Sequence, residues 1–111
     1  MVVSGFSRIV RRLVILEVAS LEIRAGEAGE FEETFKQAQR IIASMKGYIS
    51  HELQRCVEVE NRYLLLVRWK TIEDHTDGFR NSPQFPEWRR LLHHFYDPPP
   101  TINHYERVTG S

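Results

Sequence analysis

The sequence predicts an α+β fold, with a four-stranded antiparallel sheet and two helices on one of its faces. Three observations carry that prediction. Arg62 to Lys70 reads RYLLLVRWK; as a strand it puts Tyr63, Leu65, Val67 and Trp69 on one face and Leu64 and Leu66 on the other. A half-exposed strand alternates apolar with polar residues, so this one requires cover on both sides. Phe31, Phe35, Ala38, Ile42 and Met45 recur at alternating spacings of four and three, which is one stripe of a helix. Phe85, Trp88, Leu92 and Phe95 form a second such stripe. Two helices cover only one side of a sheet, so a second copy of the chain is expected on the other.

The elements follow in order. Residues 1–12 (MVVSGFSRIVRR) are basic and lack a long apolar core, so they read as an arm preceding the domain at 13–111, and not as a secretory signal. Leu13 to Ile23 is rich in Val, Ile and Leu and reads as the first strand. Arg24-Ala25-Gly26 turns the chain into a helix over Glu27 to Lys46. Glu30, Glu32 and Glu33 lie early in it and Arg40 and Lys46 late, which suits the helix dipole. Gly47 is placed to end it in a left-handed conformation. Tyr48 to Val57 and Arg62 to Lys70 are the next strands, joined by a hairpin at Glu58 to Asn61. Thr71 reads as a cap for a short helix ending near Gly78, with Asp74 as its capping-box partner. Ser82 reads as the next N-cap and Pro83 as the first helical residue. Pro86 is tolerated in the first turn. Asp97-Pro98-Pro99-Pro100 stops that helix, and Thr101 to Val108 reads as an edge strand. The order β-α-β-β-α-β is the ferredoxin-like arrangement.

Composition narrows the function. At 111 residues the chain forms a single domain. Its 15 basic and 15 acidic residues balance, so nothing attracts nucleic acid or an anionic membrane. An RNA-recognition sheet needs exposed aromatics and a basic face, whereas the third strand is aliphatic at its centre. No apolar run is long enough to span a bilayer. Cys56 is the only cysteine, which fits a reducing, cytoplasmic setting.

The segments RWKTIEDH, SPQFPEW and HHFYDPPPTINHYE, in that order over residues 13–108, resemble the antibiotic biosynthesis monooxygenase (ABM) family. The resemblance implies a dimeric α+β barrel, a homodimer whose two sheets pack face to face. It further implies a monooxygenase that needs no cofactor and acts with dioxygen on a small aromatic molecule, a quinol or a polyketide-like phenol. Trp69 and Arg89 match pocket positions of that branch, while Leu65 stands where such enzymes carry an Asn. The haem-degrading branch fits less well: its strand-one Asn falls on Ala19 and its His on Arg89, and arginine cannot ligate haem iron.

Ground-state dioxygen is a triplet, so a cofactor-free oxygenase needs an electron-rich substrate anion. An apolar pocket holding one cation favours that anion. The expected catalytic residues are Trp69, Arg89 and His75; Trp88, Phe85, Leu65 and His93 are expected to bind substrate. Arg89 is the candidate cation, and Trp69 and Trp88 pack on the ring. His75, His93 or His94 accepts the phenol proton, since imidazole titrates near neutrality. Each also has an ordinary structural reading. Trp88 lies on a core stripe, Arg89 sits beside Arg90 on a solvated face, and His75 lies in a capped first turn. His93 and His94 suit a helix C-terminus; His51 and His104 read as ordinary strand residues. Glu17 shares a face with Ile15 and Ala19 and points either across the dimer or into the pocket. No His pair has zinc-site spacing, so no metal is expected. The alternative from a different class is a dimeric barrel that binds a small apolar ligand without turning it over.

Overall fold

The computed structural model describes residues 14–110, and the expected arm at 1–12 lies outside them. Four strands, β1 (Ile15–Glu22), β2 (Tyr48–Arg55), β3 (Arg62–Trp69) and β4 (Thr101–Tyr105), form one sheet in the order β2-β3-β1-β4. All neighbours are antiparallel. Helices α1 (Ala28–Ala43) and α2 (Phe85–Leu92) cover one face. This is the ferredoxin-like α+β architecture expected from the sequence, with β4 at an edge. The regular elements are shorter than the apolar patterns suggested, since pairing stops where a partner strand stops; β4 ends at Tyr105, short of Val108.

The core follows from the two periodicities. Ile15, Glu17, Ala19 and Leu21 on β1 and Tyr63, Leu65, Val67 and Trp69 on β3 are buried towards the helices. Phe31, Phe35, Ala38 and Ile42 of α1 pack onto them. Phe31 sits at the centre, its ring 5.1 Å from Tyr63, 5.6 Å from Phe95 and 6.0 Å from Phe35. Burying such a side chain contributes roughly 1.5–3 kcal/mol. Val14, Leu16, Val18, Leu64 and Leu66 point to the opposite face, where Leu64 is 38% and Val14 53% exposed.

Between β3 and α2 the chain departs from expectation in two places. Thr71 Oγ1 does accept the Asp74 N–H, at 3.1 Å, but the segment it caps becomes a π-helix over Asp74–Phe79. The wide turn is closed by the Arg80 N–H donating to the His75 carbonyl at 3.2 Å. Ser82 does not cap the next helix. Its hydroxyl donates back to the Phe79 carbonyl at 2.7 Å, which commits it to ending the π-turn. Helix α2 therefore begins at Phe85, with Pro86, not Pro83, in its first turn.

Candidate active site

A cavity of about 230 Å³ lies between the sheet and α2. Its floor is Glu17, Ala19 and Leu21 of β1, Leu65 of β3 and Ile102 of β4. The π-helical segment and the residue after it supply His75, Phe79 and Arg80, and α2 supplies Phe85, Trp88, Arg89 and Leu92. His93, Tyr96 and Pro100 from the following connection and Ile42 of α1 complete the wall. The structure thus gathers His75, Arg89, Trp88, Phe85, Leu65 and His93 around one hollow. Trp69 is not in the wall. It is fully buried behind it, because β3 pairs on both sides and its ring is covered by His75 and Phe79.

The polar groups of this hollow form one cluster set by strand register. On the helix-facing side of the sheet, β1 and β4 pair so that Glu17 lies directly opposite His104. The Trp69 Nε1–H donates to Glu17 Oε1 at 2.9 Å. His75 stacks on the Trp69 ring, with centroids 5.4 Å apart and planes 20° from parallel. Its Nε2 is 3.4 Å from Glu17 Oε1, and its Nδ1 is 2.8 Å from His104 Nε2. Both Glu17 and His75 are only 3% exposed.

Burial disfavours charge on every member. It pushes the Glu17 carboxyl up to about 7, against the Trp69 hydrogen bond and the positive charge of Arg80, which hold it down. Burial, with Arg80 and His104 nearby, pushes His75 down to about 3. His104 is lowered by burial and then by Arg80. Tyr96 is raised by burial and then by the Glu17 charge, so its phenol stays protonated. At neutral pH the imidazole of His75 is uncharged and the Glu17 carboxyl is divided between its two forms.

Two cations border the hollow. Arg80 and Arg89 make no salt bridge among the described residues, whereas Arg90, beside Arg89, is held by Glu87 through bonds of 2.7 and 2.6 Å. Trp88 packs on Phe79 at 5.5 Å and Phe35 at 6.1 Å, so it is both core and wall. His93 is exposed at the rim, 6.1 Å from the Tyr96 ring. His94 packs on Phe95 at 4.1 Å, and His51 is bonded to Tyr48 and Gln39. Sequence reasoning left Glu17 undecided, set His104 aside and did not single out Arg80 or Tyr96. An acidic residue on the inward face of an apolar strand was the available signal. The volume of the hollow lies below the ~300–1,000 Å³ of drug-sized ligand sites, and the buried imidazole of His75 has its Nδ1 bonded to His104.

Comparison with known proteins agrees with this architecture. The model of the antibiotic biosynthesis monooxygenase family matches residues 14–91. YczJ of Bacillus subtilis (strain 168), an uncharacterised protein, is 52% identical over 95 residues, covering 86% of this chain and 100% of YczJ. The crystal structure of a Bordetella bronchiseptica protein assigned to antibiotic biosynthesis monooxygenases superposes with a TM-score of 0.83. It is 33% identical, over 86% of this chain and 98% of that one. SnoaB, a cofactor-independent oxygenase from Streptomyces nogalater, shares the fold at a TM-score of 0.64 and 20% identity, over 88% of this chain and 94% of its own. A family match across most of the domain, on a fold with this strand order and this cavity, makes the chain a member of the antibiotic biosynthesis monooxygenase family.

Proposed function

We propose that this protein is a cofactor-independent monooxygenase acting on a small aromatic molecule with an ionisable hydroxyl, such as a quinol, a naphthol or a polyketide-like phenol. One observation supports the reading: an apolar hollow has a buried carboxyl–imidazole cluster in its wall, and beside it lie the guanidinium groups of Arg80 and Arg89, which make no salt bridge among the described residues. Phe85, Trp88 and Leu65 bind the ring and keep water out. Arg89, with Arg80, favours the deprotonated substrate and stabilises the negative charge that passes to oxygen. Trp69 acts from behind the wall, holding His75 by stacking and Glu17 by its hydrogen bond.

The reaction balances without a further reductant. A naphthol loses its hydroxyl proton, and the anion gives one electron to dioxygen. The resulting radical and superoxide join at the ring carbon para to the oxygen. The peroxide anion so formed takes up one proton from solvent, equal to the one the naphthol lost. The hydroperoxide then loses water, the ring C–H proton leaving with the distal oxygen, to give the quinone. One oxygen atom enters the product and the other leaves as water.

The proposed assembly is a homodimer in which a second copy covers the apolar side of the sheet that carries Leu64 and Val14. The lone Cys56 supports a reducing, cytoplasmic setting.

Oxygen uptake by purified protein, measured against a panel of hydroquinones and naphthols, tests the function. Uptake with one of them is expected. Arg89→Ala is expected to slow it on the order of 100-fold, the size of effect seen when a charge-stabilising donor is lost, with little change in melting temperature. Tight binding of a panel member with no uptake would instead identify a binding module.

A further inference from the structure

We propose that Glu17 is the catalytic residue that takes the substrate's hydroxyl proton, and that His75 and His104 form the path by which that proton leaves the cavity. The inference rests on the reaction class above and names its acid–base machinery. Of the expected acceptors His75, His93 and His94, His75 is the buried one in the wall, but its two nitrogens are already directed elsewhere: Nδ1 at His104, 2.8 Å away, and Nε2 at Glu17, 3.4 Å away. Glu17 differs. Its Oε1 takes the Trp69 N–H, and its Oε2 has no hydrogen bond from the described residues. Among those residues no buried side-chain oxygen or nitrogen lacks a partner, so Oε2 keeps accessible surface, and the open space that Glu17 lines is the hollow. It is the oxygen a substrate hydroxyl can meet. A carboxyl held near neutrality can both take and release a proton at working pH.

The charged and titratable groups around Glu17 come from every element packed there. His104 belongs to β4, His75 and Arg80 to the π-helical segment and its end, and Arg89, His93 and Tyr96 to α2 and the connection after it. Arg80 pulls the carboxyl towards its ionised form, and Tyr96 stays protonated beside it. The proton balance closes. The substrate O–H bond breaks, its electron pair stays on the substrate oxygen, and the proton binds Oε2. A half-turn of the carboxyl presents it to His75 Nε2. His75 passes its Nδ1 proton to His104 Nε2, and His104 releases its own Nδ1 proton to water at the sheet edge. Each ring takes one proton and gives one.

Three readouts test the proposal with the full-length protein. In the ligand-free protein, infrared titration should show a carboxylic acid band that disappears near neutral pH. That band should be absent in Glu17→Gln and shifted to higher pH in Trp69→Phe, which loses the hydrogen bond that favours the carboxylate. With 1-naphthol under anaerobic conditions, the wild type should show the ultraviolet band of bound naphtholate. Glu17→Gln should bind the naphthol within about threefold and lose that band, a contrast in which binding itself reports that the variant is folded. In air, His104→Ala should retain bound naphtholate but turn over slowly, with added imidazole restoring the rate. Full naphtholate in Glu17→Gln, a Glu17 band titrating at ordinary carboxylate pH, or no rescue by imidazole would each overturn the assignment. The two levels separate cleanly. Naphtholate formed without oxygen uptake defeats the oxygenase reading and keeps Glu17 as the acceptor; uptake undiminished in Glu17→Gln does the reverse.

Discussion

Glu17 and His75 couple folding to pH in opposite directions. Glu17 rises from its ordinary 4.5 to about 7 in the folded chain, so the folded state holds a proton that the unfolded state has lost. Stability then falls as pH rises between those values. His75 drops from 6.5 to about 3, so the unfolded state binds the extra proton and stability rises with pH across that window. The two slopes offset one another between about pH 4.5 and 6.5. Over that interval the urea midpoint of the wild type should therefore rise only with the smaller contributions of His51 and His104, which burial also lowers. His75→Phe made together with His51→Gln and His104→Gln leaves the Glu17 slope alone, and the variant should lose on the order of 2–3 kcal/mol as pH rises through the interval. A flat profile in the variant would show that Glu17 titrates at its ordinary value. Neither residue's environment was legible in the sequence. Glu17 announced itself as an acid among apolar strand residues, but whether it met the hollow depended on which strand lay beside β1. The partner was His104, a residue that alternation alone marks as ordinary.

At the scale of elements, Gly47 shows what short patterns can fix. A glycine after an apolar helical stripe predicts a left-handed residue, and Gly47 has φ +85°. The helix itself ends at Ala43, so the glycine turns the chain into β2 rather than closing α1 directly. A β-carbon there would also collide with the Asp74 carboxyl. Gly47→Ala is expected to cost more than about 1 kcal/mol, read as a lowered urea midpoint, and Asp74→Ala should recover only the steric part. The connection from β3 to α2 was less legible. Thr71 and Asp74 make the same capping contact whether the following turn is α or π, so the pattern could not report the wider turn. Ser82 and Pro83 fit a helix start by residue type, yet the hydroxyl of Ser82 was claimed by Phe79.

For the whole molecule, the ferredoxin-like class and the edge position of the last strand were legible because two apolar stripes and four strands in this sequence have few unknotted arrangements. The apolar run of β3 also held information that one chain does not use, since Leu64 and Leu66 face away from the helices. If a second copy covers that side, Leu64→Glu places a charge in the interface. Light scattering at micromolar concentration should then find a dimer in the wild type and a monomer in the variant; a monomeric wild type would remove the case for the barrel. The fold and the chemistry draw on different parts of the chain. Phe31 and the paired strands hold the body together, whereas the aim of His75 depends on one wide turn in a short connector. Deleting a single residue there would tighten it into an ordinary helix and rotate the imidazole off its tryptophan platform. Such a descendant would keep the shape and lose the proposed reaction, and likeness of form would then be a poor guide to which cousins are enzymes.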